Sequence, residues 1–584
     1  IWQEVLGLEQ VGIHDNFFRI GGDSIISIQL VSRLRRAGFE LQVKVIFDAP
    51  TVAQLAVVLE QSQAAALIVA EQGTLTGSFG LLPIQQWFFD QHWAAPQHWN
   101  QAFMLRIPAS IDTTAIADAI QHLAQYHDSL RCRFEATSQG YQQHYRDSDH
   151  GIMAPLQQHD VSRYDDDSLH TLLSDYQRGF DYHQGPLWQA IHLTGYADGS
   201  ARLLFAFHHL IIDAVSWRII SDDMQALLTG QSLPDKTSSY RQWTQAVQQY
   251  AETHVDETAY WADVLRDPMT LPAPQQPHTA QLRLSNAQTT RLLQQANGGY
   301  HTEINDLLLT ALALALHDTF GEADCPITLE GHGREAIDPT LDVSRTVGWF
   351  TTMYPVRLAV QADLADTLIA TKEMLRAIPR KGLGFGALSQ QGVWDSTLPP
   401  ISFNYLGQLD NGTANNNRDG MDWQITADAC GEMVSPSNRG DLLLNINGAV
   451  QQGVLQLSVL SQLDPTQTQR FTESFQAALE TVIDHSCTQA KAGGIKTPSD
   501  YSVKNLSLSR LRALESCYGA AGNTIAAIYP ANSLQQGFIV HQLRQPEDDA
   551  YRVQLLLDYH HALDINAYQE AWRLASQRYP ILRT

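Results

Sequence analysis

Apolar residues near the start of the chain recur at helical spacing. Trp2, Val5 and Leu6 mark one face of a first helix, and Ile25, Ile28, Val31 and Leu34 follow Ser24 at intervals of three and four. Phe47-Asp-Ala-Pro50-Thr51 reads as a stop followed by a new N-cap, and Val52–Leu59 as another helix. This predicts a small all-α bundle over residues 1–62. Residues 63–78 turn Gln/Ala-rich and then Gly/Thr/Ser-rich, which reads as a linker.

The pattern then mixes periods. Helices are predicted at Thr113–His127, Ser168–Gly179, Trp217–Leu228 and Asn305–Thr319, and strands at Ala102–Ile107, Leu203–Phe207 and Val454–Leu460. Their interleaving predicts an α/β body over 79–495. A body of that length exceeds one ordinary core, so two lobes are expected. Residues 411–420 read as an exposed loop. After a second linker at 496–524, Tyr529-Pro-Ala-Asn-Ser-Leu-Gln-Gln536-Gly-Phe538 repeats the character of Leu82-Pro83-Ile-Gln85-Gln86-Trp87-Phe88. Arg578-Tyr-Pro-Ile-Leu582-Arg583 likewise repeats Tyr126-His-Asp-Ser-Leu130-Arg131. Two elements recur in the same order, so a second related domain is expected to begin at 525 and to be truncated at 584. The first residues also read as the inside of a helix, so the chain is expected to be a fragment of a longer polypeptide.

Composition narrows the classes. The 584 residues carry a net charge of −24, and the densest basic spot is Arg33-Leu-Arg35-Arg36, which argues against a nucleic-acid partner. No apolar run approaches the roughly 20 residues of a membrane span, and no signal-peptide pattern opens the chain. Five scattered cysteines without CxxC spacing fit a reducing, cytoplasmic setting.

Two stretches carry candidate chemistry. In Gly21-Gly22-Asp23-Ser24 the glycines allow a tight turn, Asp23 can cap, and Ser24 opens a helix; alone, the tetrapeptide suggests an ordinary N-cap. In His208-His209-Leu-Ile-Ile-Asp213-Ala-Val-Ser216-Trp217, two histidines and a carboxylate sit where an apolar strand runs into a helix. Successive strand side chains point to opposite faces, so one histidine should face a cavity while the other packs. A satisfied core pair and a metal ligand set are the other readings, but no third ligand stands at ordinary spacing.

Asp15-Asn-Phe17-Phe18-Arg-Ile20-Gly-Gly-Asp-Ser24, set in a helical bundle, resembles the carrier (thiolation) domains of nonribosomal peptide synthetases. That resemblance implies 4′-phosphopantetheine attached to Ser24, with Asp23 beside it at the cofactor. An aspartate before the serine looks like the variant found in carriers that precede epimerization domains. His208-His209-x-x-x-Asp213 resembles the signature shared by condensation and epimerization domains. Ala214 and Ser216-Trp217 resemble the epimerization subfamily. So do Glu330-Gly-His332-Gly-Arg334-Glu335, Arg345-Thr-Val-Gly348-Trp349-Phe-Thr-Thr-Met-Tyr354-Pro355 and Asn404-Tyr405-Leu-Gly407-Gln408, with a looser match at Lys381–Leu388. The resemblance implies a four-helix carrier, an epimerization domain of two chloramphenicol-acetyltransferase-like lobes, and the start of a condensation domain. Its cargo would be an aminoacyl or peptidyl thioester. Its partners would be an upstream adenylation domain, a downstream condensation domain and a phosphopantetheinyl transferase.

The implied reaction inverts an α-carbon. A thioester acidifies the α C–H; loss of the proton gives a planar enolate, and reprotonation on the other face gives the other configuration. Two proton-transfer groups on opposite faces suffice, each contributing roughly 10²–10⁴-fold. The resemblance assigns the active role to His209, with Asp213 orienting the turn and the ring. Glu330 is expected as the second group, its acidity weakened by desolvation. Tyr405 and Asn404 are expected to help by hydrogen bonding, and Arg334 to hold the motif in shape or face the cofactor phosphate. A charged His209, or the helix N-terminus near Ser216, is expected to stabilise the enolate. A salt bridge from Glu330 to Arg334 is the other reading of that motif. The enzyme rival is a condensation domain that forms a peptide bond with the same histidine motif; the non-enzyme rival is an inactive docking module.

Overall fold

The computed structural model describes all residues except 40, 42, 62–67, 139, 147–155, 268, 270, 393–396, 409–422, 521–522 and 549. The loop expected at 411–420 therefore lies outside the described residues, as does the first part of the linker expected at 63–78.

Among its described residues the N-terminal bundle has four α-helices, Trp2–Leu6, Ser24–Arg36, Val43–Asp48 and Val52–Gln61, with a 3₁₀ turn at Phe17–Ile20. Their apolar stripes meet in a core of Trp2, Phe17, Leu30, Val31, Ile46 and Leu55. Phe17 packs edge-on against Trp2 at 5.1 Å. The 3₁₀ turn stops at Gly21, whose φ of 105° is open to glycine at little cost. Asp23 then starts the next helix, accepting from the amides of Ile25 at 2.9 Å and Ile26 at 2.7 Å.

Among the described residues the body contains fourteen strands: β1 (Gly77–Phe79), β2 (Asn100–Ile107), β3 (Cys132–Thr137), β4 (Gly140–Tyr145), β5 (Gln157–Asp160), β6 (Trp188–Thr194), β7 (Ala201–His208), β8 (His278–Arg283), β9 (Asp324–Gly331), β10 (Thr352–Ala359), β11 (Ile401–Gln408), β12 (Ile425–Thr426), β13 (Leu444–Gln451) and β14 (Val454–Ser461). They form two lobes. The first lobe holds a sheet of order β12-β2-β7-β6-β5, and the second a sheet of order β10-β9-β11-β13-β14-β8; a small third sheet runs β1-β4-β3. β7 is buried at every position, which explains its unbroken apolar run. β14 alternates buried and exposed, as a strand covered on one face does. In the second lobe the helix Ile304–Phe320 packs along the helix Pro465–Lys491 and against β9 and β10.

The lobes are laced together. β12 comes from the second half of the chain yet pairs with β2 of the first lobe, and Trp99 bridges to Val434. The stretch 68–78, expected as linker, is also tied down. The Val69 amide donates to the Thr340 carbonyl at 2.9 Å, Glu71 pairs with Arg241 at 2.6 Å, and β1 extends the edge of β4. Its small polar residues reflect an edge position facing solvent rather than freedom from the body.

Residues Tyr501–Thr584 form a separate compact unit with helices Leu508–Gly519, Ser533–Arg544 and Ile565–Arg578. The sequence repeat has a structural counterpart within each unit. Asp112 caps the helix Thr113–Tyr126, which leads to a 3₁₀ turn at Asp128–Arg131; Asp564 caps Ile565–Arg578, which leads to one at Pro580–Arg583. Gln85 and Gln535 each return a side-chain oxygen to the amide three residues back, at 3.0 and 2.9 Å. Among the described residues no helix is long and apolar enough to cross a membrane.

Candidate active site

Ser24, the first residue of its helix, lies on the wall of a cavity of about 490 Å³ in the unit formed by the bundle and the body. Glu330, Asn404, Tyr405 and Asp213 line the same cavity. Gln408 at the end of β11 donates to the Gly21 carbonyl at 2.9 Å, Arg345 reaches Ser32 at 3.2 Å, and Arg35 of the bundle pairs with Asp342. Lys381 stands 4.2 Å from the centre of the Phe47 ring. These contacts hold the serine against the cavity wall. A chain attached to the Ser24 hydroxyl therefore has room to extend toward Glu330. Asp23, expected beside the cofactor, is instead committed to capping the helix and does not line the cavity, because both amides it accepts lie behind the serine.

Glu330 occupies the penultimate position of β9, opposite Met353 of β10. Its carboxyl retains part of its surface within the cavity but is surrounded by protein, and loss of solvation pushes it up to about 7. Asn404 donates to Oε2 at 2.8 Å. The alternative salt bridge to Arg334 is not formed. Arg334 turns the other way: Nη2 donates to both Asp213 oxygens at 3.0 Å and to Ser216 Oγ at 3.0 Å, and Nη1 to the carbonyls of Val343 and Thr346 at 2.8 and 2.6 Å. Its guanidinium also stacks 3.8 Å from the Phe350 ring centre. It has no donor left for a cofactor phosphate at Nη1 or Nη2. Tyr405 is raised well above the usual phenol range by burial, and its hydroxyl has no partner among the described residues.

His208 and His209 divide. The His208 ring is buried; Nε2–H donates to the Pro96 carbonyl at 2.8 Å, and Nδ1 accepts from the Leu210 amide at 3.2 Å. His209 keeps some accessible surface. Its Nδ1–H donates to the Ile212 carbonyl at 2.9 Å, which leaves the lone pair on Nε2. Its ring lies tilted against Trp349, the centroids 4.2 Å apart. Burial holds the imidazole down to about 4, so it is neutral near pH 7 and offers a base rather than a positive charge for an enolate. Asp213, expected to orient the ring, does not bond it. It caps the helix Ala214–Leu228 through Ser216 N–H at 2.8 Å and accepts from the Phe350 amide at 3.1 Å. The Ser216 amide is thereby taken, so it cannot serve an enolate.

His209 is not among the residues that line the Ser24 cavity, so the cavity brings Ser24 together with only one of the two expected proton-transfer groups, Glu330. Both candidate groups nonetheless border one segment: Trp349 lies against the His209 ring, and Met353, four residues on, pairs with Glu330. Gly333 makes the approach possible. Its φ is 66°, and a β-carbon there would overlap the Phe350 carbonyl. Gly333→Ala is expected to destabilise the body by more than about 1 kcal/mol, seen as a lowered thermal midpoint. Gln101, whose side chain meets His209, is not flagged by sequence reasoning: it is not a proton-transfer group, and its proximity arises from the pairing of β2 with β7. Trp349 stands in a motif that the sequence singles out, but its contact with the ring does not follow from spacing.

Comparison with known proteins identifies the two kinds of domain. Residues 76–506 match the condensation-domain family, and residues 1–59 match the phosphopantetheine attachment site. Over its whole length the chain is 37% identical to a component of linear gramicidin synthase from Brevibacillus parabrevis and 32% identical to bacitracin synthase 3 of Bacillus licheniformis, spanning 12% and 9% of those proteins. The crystal structure of the epimerization domain from the third module of tyrocidine synthetase B is 32% identical, with a TM-score of 0.64, covering 72% of this chain and 99% of that one. The condensation domain of Monacolin K polyketide synthase shares the fold at 16% identity and a TM-score of 0.59, covering 71% and 99%. A serine of the N-terminal bundle thus carries 4′-phosphopantetheine, and the chain belongs to the condensation-domain family of nonribosomal peptide synthetases, its two-lobed α/β body preceded by a carrier domain.

Proposed function

We propose that this chain inverts the α-carbon of an aminoacyl or peptidyl thioester held on Ser24. The observation that carries the reading is Glu330, a carboxyl pushed up to about 7 on the wall of the cavity that Ser24 enters. When bound, phosphopantetheine supplies a thiol that holds the cargo as a thioester and so acidifies its α C–H. Ser24 presents the cargo, and the Gln408 and Arg35 contacts fix where it enters. Once the Gln101 amide, which lies 2.7 Å from it, has moved off its lone pair, His209 Nε2 takes the α-proton. The Glu330 carboxyl, held by Asn404 through Oε2, gives a proton to the opposite face from Oε1. The cargo ends with one new C–H bond in place of the one broken, His209 with a proton gained, and Glu330 with one lost. Exchange with water resets both. The reverse reaction runs the same steps backward. The reading requires cargo to pass the present cavity wall to reach the accessible part of the His209 ring.

Peptide-bond formation is the second reading, since the histidine motif is common to both activities. It would require a base for an incoming amine but no acid across the cleft, and so leaves the weakened acidity of Glu330 without a use.

The test uses the full chain, converted to its phosphopantetheine form and loaded with L-aminoacyl groups in deuterated water. Hydrolysis and chiral chromatography should yield a D/L mixture, with solvent deuterium at the α-carbon of the inverted product. An all-L product without deuterium, together with dipeptide when a second loaded carrier is added, would establish condensation instead.

A further inference from the structure

Gln101 is the second residue of β2 and pairs in register with Phe207 of β7, one strand position before the histidine pair. Its side-chain amide meets the ring of His209, with Nε2 of Gln101 2.7 Å from Nε2 of His209. Because Nδ1–H is spent on the Ile212 carbonyl, the contact is a donation from the amide N–H to the ring lone pair. The other end of the same amide is unused: Gln101 Oε1 is buried and has no partner among the described residues. A buried orphan acceptor costs free energy, so a fold that keeps one beside a reactive nitrogen invites a reason.

We propose that Gln101 is a positioning residue that serves both forms of His209 in turn, donating its N–H to the neutral ring and turning its amide so that Oε1 accepts from Nε2–H once the ring has taken a proton. The inference rests on the epimerase reading for its use in turnover, but the pairing itself does not. An amide is the one side-chain group of this size that is both donor and acceptor and changes role by a half-turn. A carboxylate would hold only the protonated ring, and an apolar side chain would hold neither. The charged groups near the ring are few. Asp213 favours the protonated ring, but Arg334 is bound to both of its oxygens. His208, next in the chain, has both nitrogens engaged, and Trp349, on the ring's face, has no charge. Within this shell Gln101 is the residue that can follow the proton.

The test compares the full chain with Gln101→Met and Gln101→Glu. Protonation of each histidine is read in the unloaded chain from deuterium exchange at imidazole Cε1 by tandem mass spectrometry, and inversion is read from the loaded chain as a function of pH. Gln101→Met keeps the volume and removes both hydrogen bonds; inversion is expected to fall about 3- to 10-fold, the worth of one neutral hydrogen bond, with loading unchanged. In Gln101→Glu the ring should protonate at a pH about 1–3 units higher, and the acid limb of the rate profile should move with it, while the exchange at His127 and His192 stays as in the parent chain. Unchanged titration of His209 in Gln101→Glu, or a parent-like rate and acid limb in Gln101→Met, would overturn the proposal. Shifted His209 titration in a chain that never inverts its cargo would leave the pairing standing and remove the epimerase reading.

Discussion

Glu330→Gln is expected to slow inversion by about 10²–10⁴-fold while leaving phosphopantetheine attachment and cargo loading intact. Glutamine has nearly the same shape and can still accept the hydrogen bond that Asn404 donates at 2.8 Å, so the cavity wall should stand. What it loses is a transferable proton. His209 can still remove the α-proton and return one to the face it came from, so solvent deuterium should enter the cargo without a matching gain of the D form. Retention of inversion within tenfold of the parent chain would remove Glu330 from the mechanism. The pH profile gives an independent check. The ring at about 4 and the carboxyl at about 7 share one proton in the active form, whether that proton sits on Glu330 or on His209. About 7 minus about 4 leaves the two arrangements three pH units apart, so the form with the proton on Glu330 outnumbers the other by roughly 10³. Both directions therefore predict one bell with limbs near 4 and 7 in the unloaded-enzyme parameter kcat/KM. Glu330→Gln should abolish the upper limb.

Much of the molecule was legible because its periods are strong. The helix after Ser24, the buried run of β7 and the alternation of β14 follow from spacing alone, and the two lobes from the length of the mixed region. The stretch 68–78 misled because glycine and threonine mark both flexible links and short edge strands, and only the partner, here β4 and Arg241, decides between them. The site residues divide in the same way. Residue type pointed to His209 and Glu330, because few side chains move protons near neutral pH. Partnerships did not follow from type. Arg334 lies four residues from Glu330 and could have paired with it, yet it crosses to Asp213, 121 positions away. Asp213 was assigned to the imidazole and turned to the arginine and the helix end, while the backbone carbonyl of Ile212 took the ring. Spacing along a chain constrains neighbours on one element; it says nothing of a contact made by two lobes closing on each other.

That crossing makes Arg334→Met the substitution with the largest expected cost to stability. The Asp213–Arg334 pair is buried and joins the histidine motif of one lobe to the Glu330 motif of the other. Forming such a pair adds little net, because desolvation offsets attraction, but removing one partner leaves the other charge buried and alone, at about 3–5 kcal/mol. Methionine retains much of the volume against Phe350, so lost packing should be the smaller effect. The capping bond from Asp213 to Ser216 survives in this variant, which separates the charge effect from the roughly 1 kcal/mol worth of a helix cap. Adding Asp213→Asn to Arg334→Met removes the stranded charge and keeps a capping side chain, so the double variant is expected to be more stable than Arg334→Met alone. Urea midpoints of the three chains, followed by tryptophan fluorescence, would decide. If the second substitution lowers the midpoint further, the pair is held by packing and hydrogen bonds rather than by the need to neutralise a buried carboxylate between the lobes.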